Sequence, residues 1–459
     1  MLIQTPNYDY HQFFGNGWKL ETRRAPMPQH HYRFIDQLST ILISSLLLAG
    51  CMSEPEDIPI TPGLKAFVGA QIIDGYSETP FEDGALIIRD GEVEAVGTQT
   101  TIIIPTDAEQ IDVTGKTIIP GLINTHGHVT PTPYTEANIL RQLQLYARYG
   151  VTTVVSLGGG EQLGVRLRDQ QETPSLTHAR LYLAGPVITA ETPVEARARV
   201  NEIADMNVDL LKIRVDDYLG TANKMPEAVY NAIIDQAHER DLRLMAHLYY
   251  LEDAKSLLAA GADFVAHSIR DQEVDDELID LLNERGICVC PTLMREVSTF
   301  VYESRPSFFD DPFFLREADP SLLAELEDPK EQEAIQNSES AQQNKFGLEV
   351  AKRNLKKLID EGVRISFGTD TGPRGRFQGY FEQLELEQMV DAGLSPAQAL
   401  VSANRDAASC MNLERLGTLE PGKWADLIVL NANPLEDIRN TRDIDSVWIA
   451  GNRVPDGID

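Results

Sequence analysis

Two histidines one residue apart, His126 and His128, close the apolar stretch GLINTHGHV. If this stretch is a strand, residues two apart lie on the same face, so both imidazoles can bind a single metal ion. Histidine is also common on surfaces and in cores, so the pair alone does not separate a metal site from an ordinary strand end. The pattern indicates a metal site if further ligands follow other strands.

Further polar side chains stand at the ends of later apolar runs. They are Lys212 in DLLKIR, His247 in LRLMAH, His267 in DFVAH and Asp370 in VRISFGTD. The other histidines beyond residue 51, His178 and His238, fall in a predicted loop and on a predicted helix surface. The chain has no G-x-S-x-G motif, and the run Gly158 to Gly160 lacks the Lys-Ser/Thr of a phosphate-binding loop.

These runs belong to a repeated unit of helix, turn and apolar strand over residues 121–412. Six copies are visible directly, and GLINTHGH and ARLYLAGP bring the number of strands to eight. Eight such units predict an α/β fold, a (β/α)8 TIM barrel, in which functional side chains come from the carboxyl ends of the strands. The stripe formed by Val229, Ile233, Ile234 and Ala237 has the period of a helix packed on such a barrel.

An insertion accounts for the surplus length of this region, because such barrels typically need only about 250 residues. The surplus falls between Thr292 and Ser340, in a stretch rich in Phe, Pro, Asp and Glu after the predicted seventh strand. Long insertions at the functional end of a barrel are often lids. We therefore expect residues 292–340 to form a lid.

Both ends of the globular region instead have the sequence pattern of short β-strands. Residues 64–120 read as short strands, with a tight hairpin turn at Asp90-Gly91, and residues 413–459 return to strands. We expect the two segments to meet and form a small β-sandwich domain built from both chain ends.

The N-terminal region contains the apolar run LSTILISSLLLAG, residues 38–50. The run is shorter than the roughly 20 residues that a membrane-spanning helix needs, but it has the length of a signal-peptide core. It ends in LAGC, which resembles the lipobox of bacterial lipoproteins. We therefore predict a leader over residues 1–51, lipidation of Cys51, a tether over residues 52–63, and a location in the cell envelope, periplasmic or extracellular. The alternative is a short buried helix in this position. The segment before the run is long for a signal peptide, so the translation start, Met1 or Met27, is left open.

The net charge of the chain narrows the classes of molecule that it can bind. Lys and Arg total 40 against 71 Asp and Glu, a formal net charge of -31, which argues against nucleic acids and leaves a small molecule as the expected partner. The only membrane contact predicted is the lipid anchor.

Beyond Cys51 an odd number of cysteines remains, which predicts no disulfide framework. Of these, Cys288 and Cys290 are expected to be small core residues rather than metal ligands.

Taken together, the motifs over residues 64–459 resemble the amidohydrolase superfamily. The matching features are the H-x-H on strand one, a lysine on strand four, single histidines ending strands five and six, and an aspartate ending strand eight. LEPGKWADLIVL and GTDTGP are similar to the closing-strand and eighth-strand motifs of that family. The resemblance points to the imidazolonepropionase-related branch that includes Xaa-Pro and Xaa-Arg dipeptidases. Gln383 departs from it, because relatives often have histidine there.

The resemblance implies a site for two divalent metal ions. The implied ligands are His126, His128 and Asp370 for one ion, His247 and His267 for the other, and Lys212 between them as N6-carboxylysine. A lysine ammonium has no lone pair, whereas the carbamate formed with CO2 has two oxygens that can bridge two cations. The alternative for Lys212 is an ion pair with Asp370 beneath a single metal. Zinc is expected, and manganese, cobalt or iron would accept the same ligands.

Such a site predicts a metal-dependent hydrolase of carbon–nitrogen bonds. The expected substrate is a dipeptide, an N-acyl amino acid or a cyclic amide, cleaved by a hydroxide shared between the metals. By resemblance, Asp370 would take the proton of the attacking water and deliver it to the leaving amine. An arginine or tyrosine could hold a substrate carboxylate, and the candidates, each alternatively a surface or packing residue, are Arg214, Tyr218, Tyr249, Arg374 and Arg376.

Two other functions remain open at this stage. The same metals could serve hydrolysis of a lactone or phosphotriester, or deamination of a ring. A function of another class would be a catalytically silent envelope protein that binds a ligand or partner. The complete set of implied ligands argues against the silent protein.

Overall fold

The computed structural model describes residues 59–77, 79–160 and 162–456. The predicted leader with Cys51 and residues 52–58 of the predicted tether lie outside these described residues. Within the described residues, no helix combines the length and the apolar character required to cross a bilayer.

Fifteen strands form in the described part of the chain. They are β1 (Leu64–Ile72), β2 (Phe81–Arg89), β3 (Glu92–Thr98), β4 (Glu109–Asp112), β5 (Thr117–Pro120), β6 (Leu122–Gly127), β7 (Val151–Ser156), β8 (Arg180–Leu183), β9 (Leu211–Arg214), β10 (Leu244–His247), β11 (Phe264–Val265), β12 (Cys288–Val289), β13 (Leu427–Leu430), β14 (Ile444–Ile449) and β15 (Asn452–Arg453).

Strands from both chain ends share one eight-stranded sheet, in the order β15-β14-β13-β5-β1-β2-β3 with β4 beside β1. The joint between the two ends is antiparallel, with Leu427 of β13 opposite Pro120 of β5. Phe67 and Trp448, one from each end, pack edge to face with ring centroids 4.9 Å apart. Both ends therefore build one sheet with a common core, as the sequence predicts, and the hairpin turn at Asp90-Gly91 is confirmed.

The parallel strands form two further sheets, β6-β7-β8 and β9-β10-β11-β12. Single parallel bridges continue this order: Ile188 pairs with Ile213 of β9, and Ile365 pairs with Val289 of β12. The backbone nitrogen of Thr125 in β6 donates to the carbonyl of Phe367 at 2.9 Å. The predicted eighth strand thus lies between β12 and β6, although the described residues do not form one continuous eight-stranded sheet.

Fourteen α-helices are described. They are α1 (Glu136–Arg148), α2 (Gln162–Asp169), α3 (Pro193–Ala204), α4 (Glu227–Glu239), α5 (Leu251–Ala260), α6 (Asp276–Arg285), α7 (Leu293–Val297), α8 (Pro312–Leu315), α9 (Pro320–Leu326), α10 (Pro329–Gln336), α11 (Glu339–Asp360), α12 (Tyr380–Asp391), α13 (Pro396–Ala403) and α14 (Arg405–Met411).

Helix α6 shows how local sequence sets these boundaries. The side chain of Asp275 accepts from the backbone nitrogen of Leu278 and caps the start of the helix. Gly286 ends it with a positive φ of 64°, a conformation that glycine adopts without steric cost. The apolar residues between them, Leu278, Ile279 and Leu282, are buried in the same core cluster as Val265 of β11 and Val289 of β12. The predicted stripe of α4 is buried in the same way.

The insertion at residues 292–340 folds into short helices around an aromatic cluster. Phe309 and Phe314 are buried and stacked on each other, and Phe308 and Phe314 pack with Tyr380 of α12. The hydroxyl of Tyr302 donates to the backbone carbonyl of Gly375. The insertion therefore packs on the loop that follows Asp370, while its role as a lid stays a prediction.

One disulfide forms, although the odd number of cysteines predicted no disulfide framework. Cys288 of β12 and Cys410 of α14 are bonded, with Cα atoms 6.0 Å apart although 122 residues separate them in sequence. Cys290 is a free, buried core residue as expected. An odd number of cysteines does not exclude one bond, and which two approach depends on how α14 packs against β12.

A buried ion pair connects the eight-stranded sheet to the parallel strands. The guanidinium of Arg180 on β8 is fully buried, and its Nε donates to Asp426, beside β13, at 2.7 Å. Asp426 also accepts from the backbone nitrogen of Ala450 at 2.8 Å, and Trp424 stacks on the guanidinium at 4.6 Å. Because the pair is dry and well hydrogen-bonded, removing one partner leaves the other charge buried.

We expect Asp426→Ala to lower the free energy of unfolding by about 3–5 kcal/mol, because it strands the charge of Arg180. Urea denaturation of the purified protein measures the change. Asp235→Ala is the matched control, since Asp235 of α4 pairs with Arg197 at the surface and should cost less than about 1 kcal/mol. Equal effects of the two substitutions would contradict the role given to the buried pair.

Candidate active site

His126 and His128 face the carboxylate of Asp370. Nε2 of His128 lies 2.7 Å, and Nε2 of His126 3.5 Å, from Oδ1 of Asp370. The approach requires glycine at position 368, because a Cβ there would lie 2.6 Å from Sγ of Cys290 and 2.8 Å from the backbone nitrogen of His126. The H-x-H pair thus places both imidazoles beside the end of the eighth segment.

Asp370 is held in an unusual conformation. Its φ is +61°, a left-handed value that costs a non-glycine residue on the order of 1–3 kcal/mol. Its backbone nitrogen donates to the carbonyl of His126 at 2.6 Å, and Nη1 of Arg376 donates to Oδ2. Burial would raise the pKa of Asp370, but Arg376 and the imidazoles hold that pKa well below its usual range. The carboxylate is therefore ionised and firmly oriented.

His247 and His267, at the ends of β10 and β11, lie next to each other. Their ring centroids are 4.1 Å apart, and the ring of His267 is 4.5 Å from that of His126. Nε2 of His247 is 3.0 Å from Oδ2 of Asp216, and Nδ1 of His267 is 2.7 Å from the hydroxyl of Thr292. Nε2 of His267 is buried and has no hydrogen-bond partner among the described residues. This nitrogen is available to a ligand.

Lys212 of β9 is buried among these groups. Its Nζ lies 3.3 Å from Nε2 of His126, and the residue is only 3% exposed. Burial lowers the pKa of Lys212 to about 7, so a large share of the amine is neutral near pH 7. The ion-pair partners of Asp370 in the described residues are His126, His128 and Arg376, and Lys212 is not among them. The alternative of a direct Lys212–Asp370 pair therefore has no contact in the structure.

The donor set suits a divalent cation. Burial lowers the pKa of His126 and of His267 well below the ordinary histidine value and that of His247 to about 3, so each imidazole keeps a lone pair. One nitrogen each from His126 and His267 and one oxygen of Asp370 lie within 4.8 Å of one another. Together with the unpartnered Nε2 of His267, this arrangement fits a bound metal ion.

The six residues surround one cavity of about 450 Å³. Five of them line it, namely His126, His128, Lys212, His247 and Asp370, and His267 packs against two of these rings. Leu157, Val187 and Pro373 supply apolar wall. The structure thus gathers all six residues that the resemblance implied as ligands.

Three of the five candidates for binding substrate also line this cavity: Arg214, Tyr218 and Arg376. The guanidinium of Arg214 stacks on the ring of Tyr218 at 3.4 Å and pairs with Asp216 at 2.6 Å. Arg376 is paired with Asp370. These three side chains are placed to contact a molecule in the cavity.

The other two candidates do not line it. Tyr249 is 7% exposed and packs under the guanidinium of Arg270, whose centre is 4.6 Å from the ring. Arg374 points away and pairs with Glu325 and Glu331 of the insertion, 3.2 Å from each. Tyr249 is placed as a packing residue and Arg374 as a surface residue, which is the alternative that the sequence left open for each. Both residues closely follow a strand end in sequence, but that spacing does not predict the direction in which the loop after the strand carries the side chain.

Sequence reasoning missed two charged residues of the site. Asp216 lies two residues after Arg214 and four residues after Lys212, so strand alternation could have placed all three on one face. Arg295, which lines the cavity, follows the seventh strand in PTLMREV and was hidden within the insertion. Gln383, noted as a departure from the family, is buried and donates to the backbone carbonyl of Tyr149 at 2.7 Å.

Comparison with known sequences places this geometry in a family. The sequence profile of the amidohydrolase family matches residues 117–454. Imidazolonepropionase from Geobacillus sp. (strain WCH70) is 23% identical over 402 residues, which cover 76% of this chain and 84% of that protein. Ochratoxinase from Aspergillus niger is 25% identical over 284 residues, which cover 58% of this chain and 51% of that protein.

Solved structures with a similar fold are also found. A protein from Bifidobacterium longum assigned as a prolidase superposes with a TM-score of 0.69 at 28% identity, covering 86% of this chain and 95% of that chain. A Xaa-Pro dipeptidase with bound methionine has a TM-score of 0.68 at 22% identity, covering 85% and 99%. These matches confirm the predicted class of enzyme, a metal-dependent hydrolase acting on carbon–nitrogen bonds, and the profile match over most of the sequence shows that this chain belongs to the amidohydrolase family.

Proposed function

We propose that this enzyme hydrolyses the amide bond of a small molecule such as a dipeptide, an N-acyl amino acid or a cyclic amide. The observation that carries the proposal is the convergence of neutral imidazoles, a buried lysine and an ionised aspartate on one cavity of about 450 Å³. A cavity of this size suits a small substrate. The relatives named prolidase and imidazolonepropionase support carbon–nitrogen chemistry.

The proposed site holds two divalent cations, with zinc as the expected metal. His126, His128 and Asp370 would hold one, and His247 and His267 the other. Lys212 would lie between them as N6-carboxylysine, for which the neutral amine favoured by burial is the required starting form. When bound, the metals supply Lewis-acid polarisation of the carbonyl and lower the pKa of a bound water.

Side chains of the cavity carry out the proton transfer and orient the substrate. Asp370, ionised and held by Arg376, takes a proton from the attacking water and delivers it to the leaving amine. Its strained backbone and two contacts keep the carboxylate in place during that transfer. Arg214 and Tyr218, stacked at the cavity wall, orient the substrate.

Metal analysis and a substrate screen test this function. The protein is purified without chelator in the presence of bicarbonate, and metal per chain is measured by mass spectrometry. We expect about two ions per chain and turnover of at least one dipeptide, N-acyl amino acid or cyclic amide, lost with chelator and restored by metal. A protein that takes up no metal on reconstitution and cleaves no amide would instead be a binding protein.

The two parallel sheets, we infer, close as a (β/α)8 barrel with the eight-stranded sheet folded as a β-sandwich beside it. The bridges of Ile188 and Ile365 and the contact of Thr125 with Phe367 support the closure. A crystal structure in which residues 363–371 make no hydrogen bonds to β6 would contradict it.

We also propose that the chain is anchored by lipid on Cys51 in the cell envelope. The LAGC sequence and the disulfide between Cys288 and Cys410 support this location, because disulfides persist in oxidising compartments. Cys51→Ala should move the protein from the membrane to the soluble fraction of cells, as measured by fractionation and immunoblotting. Met52→Ala should leave it membrane-bound. Retention of the Cys51 variant would count against the anchor.

A further inference from the structure

A third arginine of the cavity, Arg295, is fixed in place by its neighbours. It lies on α7, directly after β12, and its side chain is 15% exposed. Nη1 donates to both carboxylate oxygens of Glu296, at 2.9 and 3.0 Å, and lies 3.4 Å from Oδ1 of Asn344. Nε is buried with no hydrogen-bond partner among the described residues. The guanidinium therefore retains a donor that the protein does not satisfy.

Arg295 shares its carboxylate partner with a second arginine. Glu296 also faces the fully buried Arg270, whose Nε lies 2.9 Å from Oε1 of the same carboxylate. Glu385, another buried acid of this region, accepts instead from the backbone nitrogens that open α7, at 2.7 Å each. In the described residues it forms no ion pair with either arginine. The fully buried Arg270 and the 15% exposed Arg295 thus share one carboxylate, so the guanidinium of Arg295 keeps hydrogen-bonding capacity for a further anion.

The other two arginines of the cavity differ in this respect. Arg214 pairs with Asp216 at 2.6 Å, and Arg376 pairs with Asp370. Each therefore has a carboxylate that it does not share with another arginine. Of the three cavity arginines, Arg295 is the one whose paired carboxylate is shared with a second arginine.

We propose that Arg295 binds the free carboxylate of the substrate, so that the enzyme acts on N-acyl amino acids or dipeptides and not on neutral cyclic amides. The inference rests on the proposed amide hydrolysis and names its substrate class. Arg295 and Asp370 line the same cavity, so one small molecule can contact both. A guanidinium recognises a carboxylate through charge-assisted hydrogen bonds, and one already fixed by Glu296 loses little freedom on binding.

Binding is measured first, with a probe that the enzyme cannot cleave. Levulinate has the shape of N-acetylglycine with CH2 in place of the amide NH. Methyl isoamyl ketone, with an isopropyl group in place of the carboxylate, is its neutral match and has no bond that the enzyme could hydrolyse. Calorimetry on the metal-loaded protein should show that levulinate binds at least about 30-fold more tightly than the neutral ketone. Arg295→Met should abolish this preference without changing the affinity for the neutral ketone, and Arg295→Lys should restore part of it.

Controls separate recognition from folding. Arg295→Met leaves Glu296 paired one to one with Arg270, so the variant should unfold at the wild-type temperature. Arg295→Gln, which keeps polar bulk, replaces it in the same assay if the methionine variant fails to fold. Arg374→Met removes an arginine that lies outside the cavity and should bind both probes like the wild type.

The outcomes distinguish this inference from the proposed function. If the wild type shows no preference for levulinate, or if Arg295→Met and Arg295→Gln retain it, the role of Arg295 is wrong. Hydrolysis is then compared on N-acetylglycine and N-acetylglycinamide. If the preference depends on Arg295 but the metal-loaded enzyme cleaves no N-acyl amino acid or dipeptide, the carboxylate site stands and amide hydrolysis is wrong.

Discussion

Asp370→Asn is expected to lower kcat by about 10³-fold or more while the protein keeps most of its metal. General acid–base catalysis contributes roughly 10²–10⁴-fold, and a thousandfold loss corresponds to about 4 kcal/mol of barrier. Asparagine has the shape of aspartate and retains a carbonyl oxygen that can face His128, but it cannot accept the proton of the water. Asp370 is the only carboxylate in the described cavity lining, so no other lining carboxylate can replace it.

The measurement combines kcat on the best substrate of the screen with metal per chain by mass spectrometry. Asp311→Asn is the matched control, because Asp311 pairs with Arg442 outside the cavity and the substitution likewise removes a carboxylate from an arginine. The control should retain wild-type kcat and metal. An Asp370→Asn enzyme within tenfold of the wild-type kcat would show that the proton passes through another group. Loss of metal along with activity would make Asp370 chiefly a ligand.

Lys212→Ala is expected to lose both metal and activity. The reason is that the carbamate would contribute two oxygens shared by both metals, whereas alanine contributes none. Activity should fall by at least about 10³-fold, since the metals supply both polarisation and the activated water. A short carboxylic acid such as propionate, added at millimolar concentration with metal, should restore part of the activity by filling the space left by the side chain.

Lys212→Arg distinguishes the carbamate from the alternative of a positively charged residue beneath a single metal. Arginine keeps the charge but does not form the carbamate, so the proposal requires this variant to lose metal as well. Metal retained by Lys212→Arg at about one ion per chain would favour the charged residue. Lys224→Ala is the control, because Lys224 pairs with Asp253 at the surface and should change neither metal nor rate. Removal of bicarbonate should lower wild-type metal content.

The candidate metal site was accessible from sequence because each of its residues ends a strand-like run. Strand alternation places His126 and His128 on one face, and parallel strands bring their carboxyl ends to one edge. The side chains of Lys212, His247 and Asp370 could therefore be predicted to meet before any distance was known. The helical period likewise predicted the stripe of Val229, Ile233, Ile234 and Ala237, which is buried in α4.

Residues that act through long-range packing could not be predicted in this way. The disulfide joins Cys288 to Cys410 because α14 packs against β12, and nothing within either segment reports that approach. Tyr249 and Arg374 satisfied the same strand-end rule as Arg376, yet they turn to Arg270 and to the insertion.

The sequence by itself determined the chemistry available to this protein, because residue type and period decide which groups share a face and which strand end they occupy. Only the tertiary structure decided how those groups are charged. The neutral amine of Lys212 and the ionised carboxylate of Asp370 follow from burial and neighbouring charges. The pairing of Arg295 likewise depends on a carboxylate, Glu296, that it shares with Arg270. Burial and charge pairing arise between distant segments, so they exist only once the chain has packed.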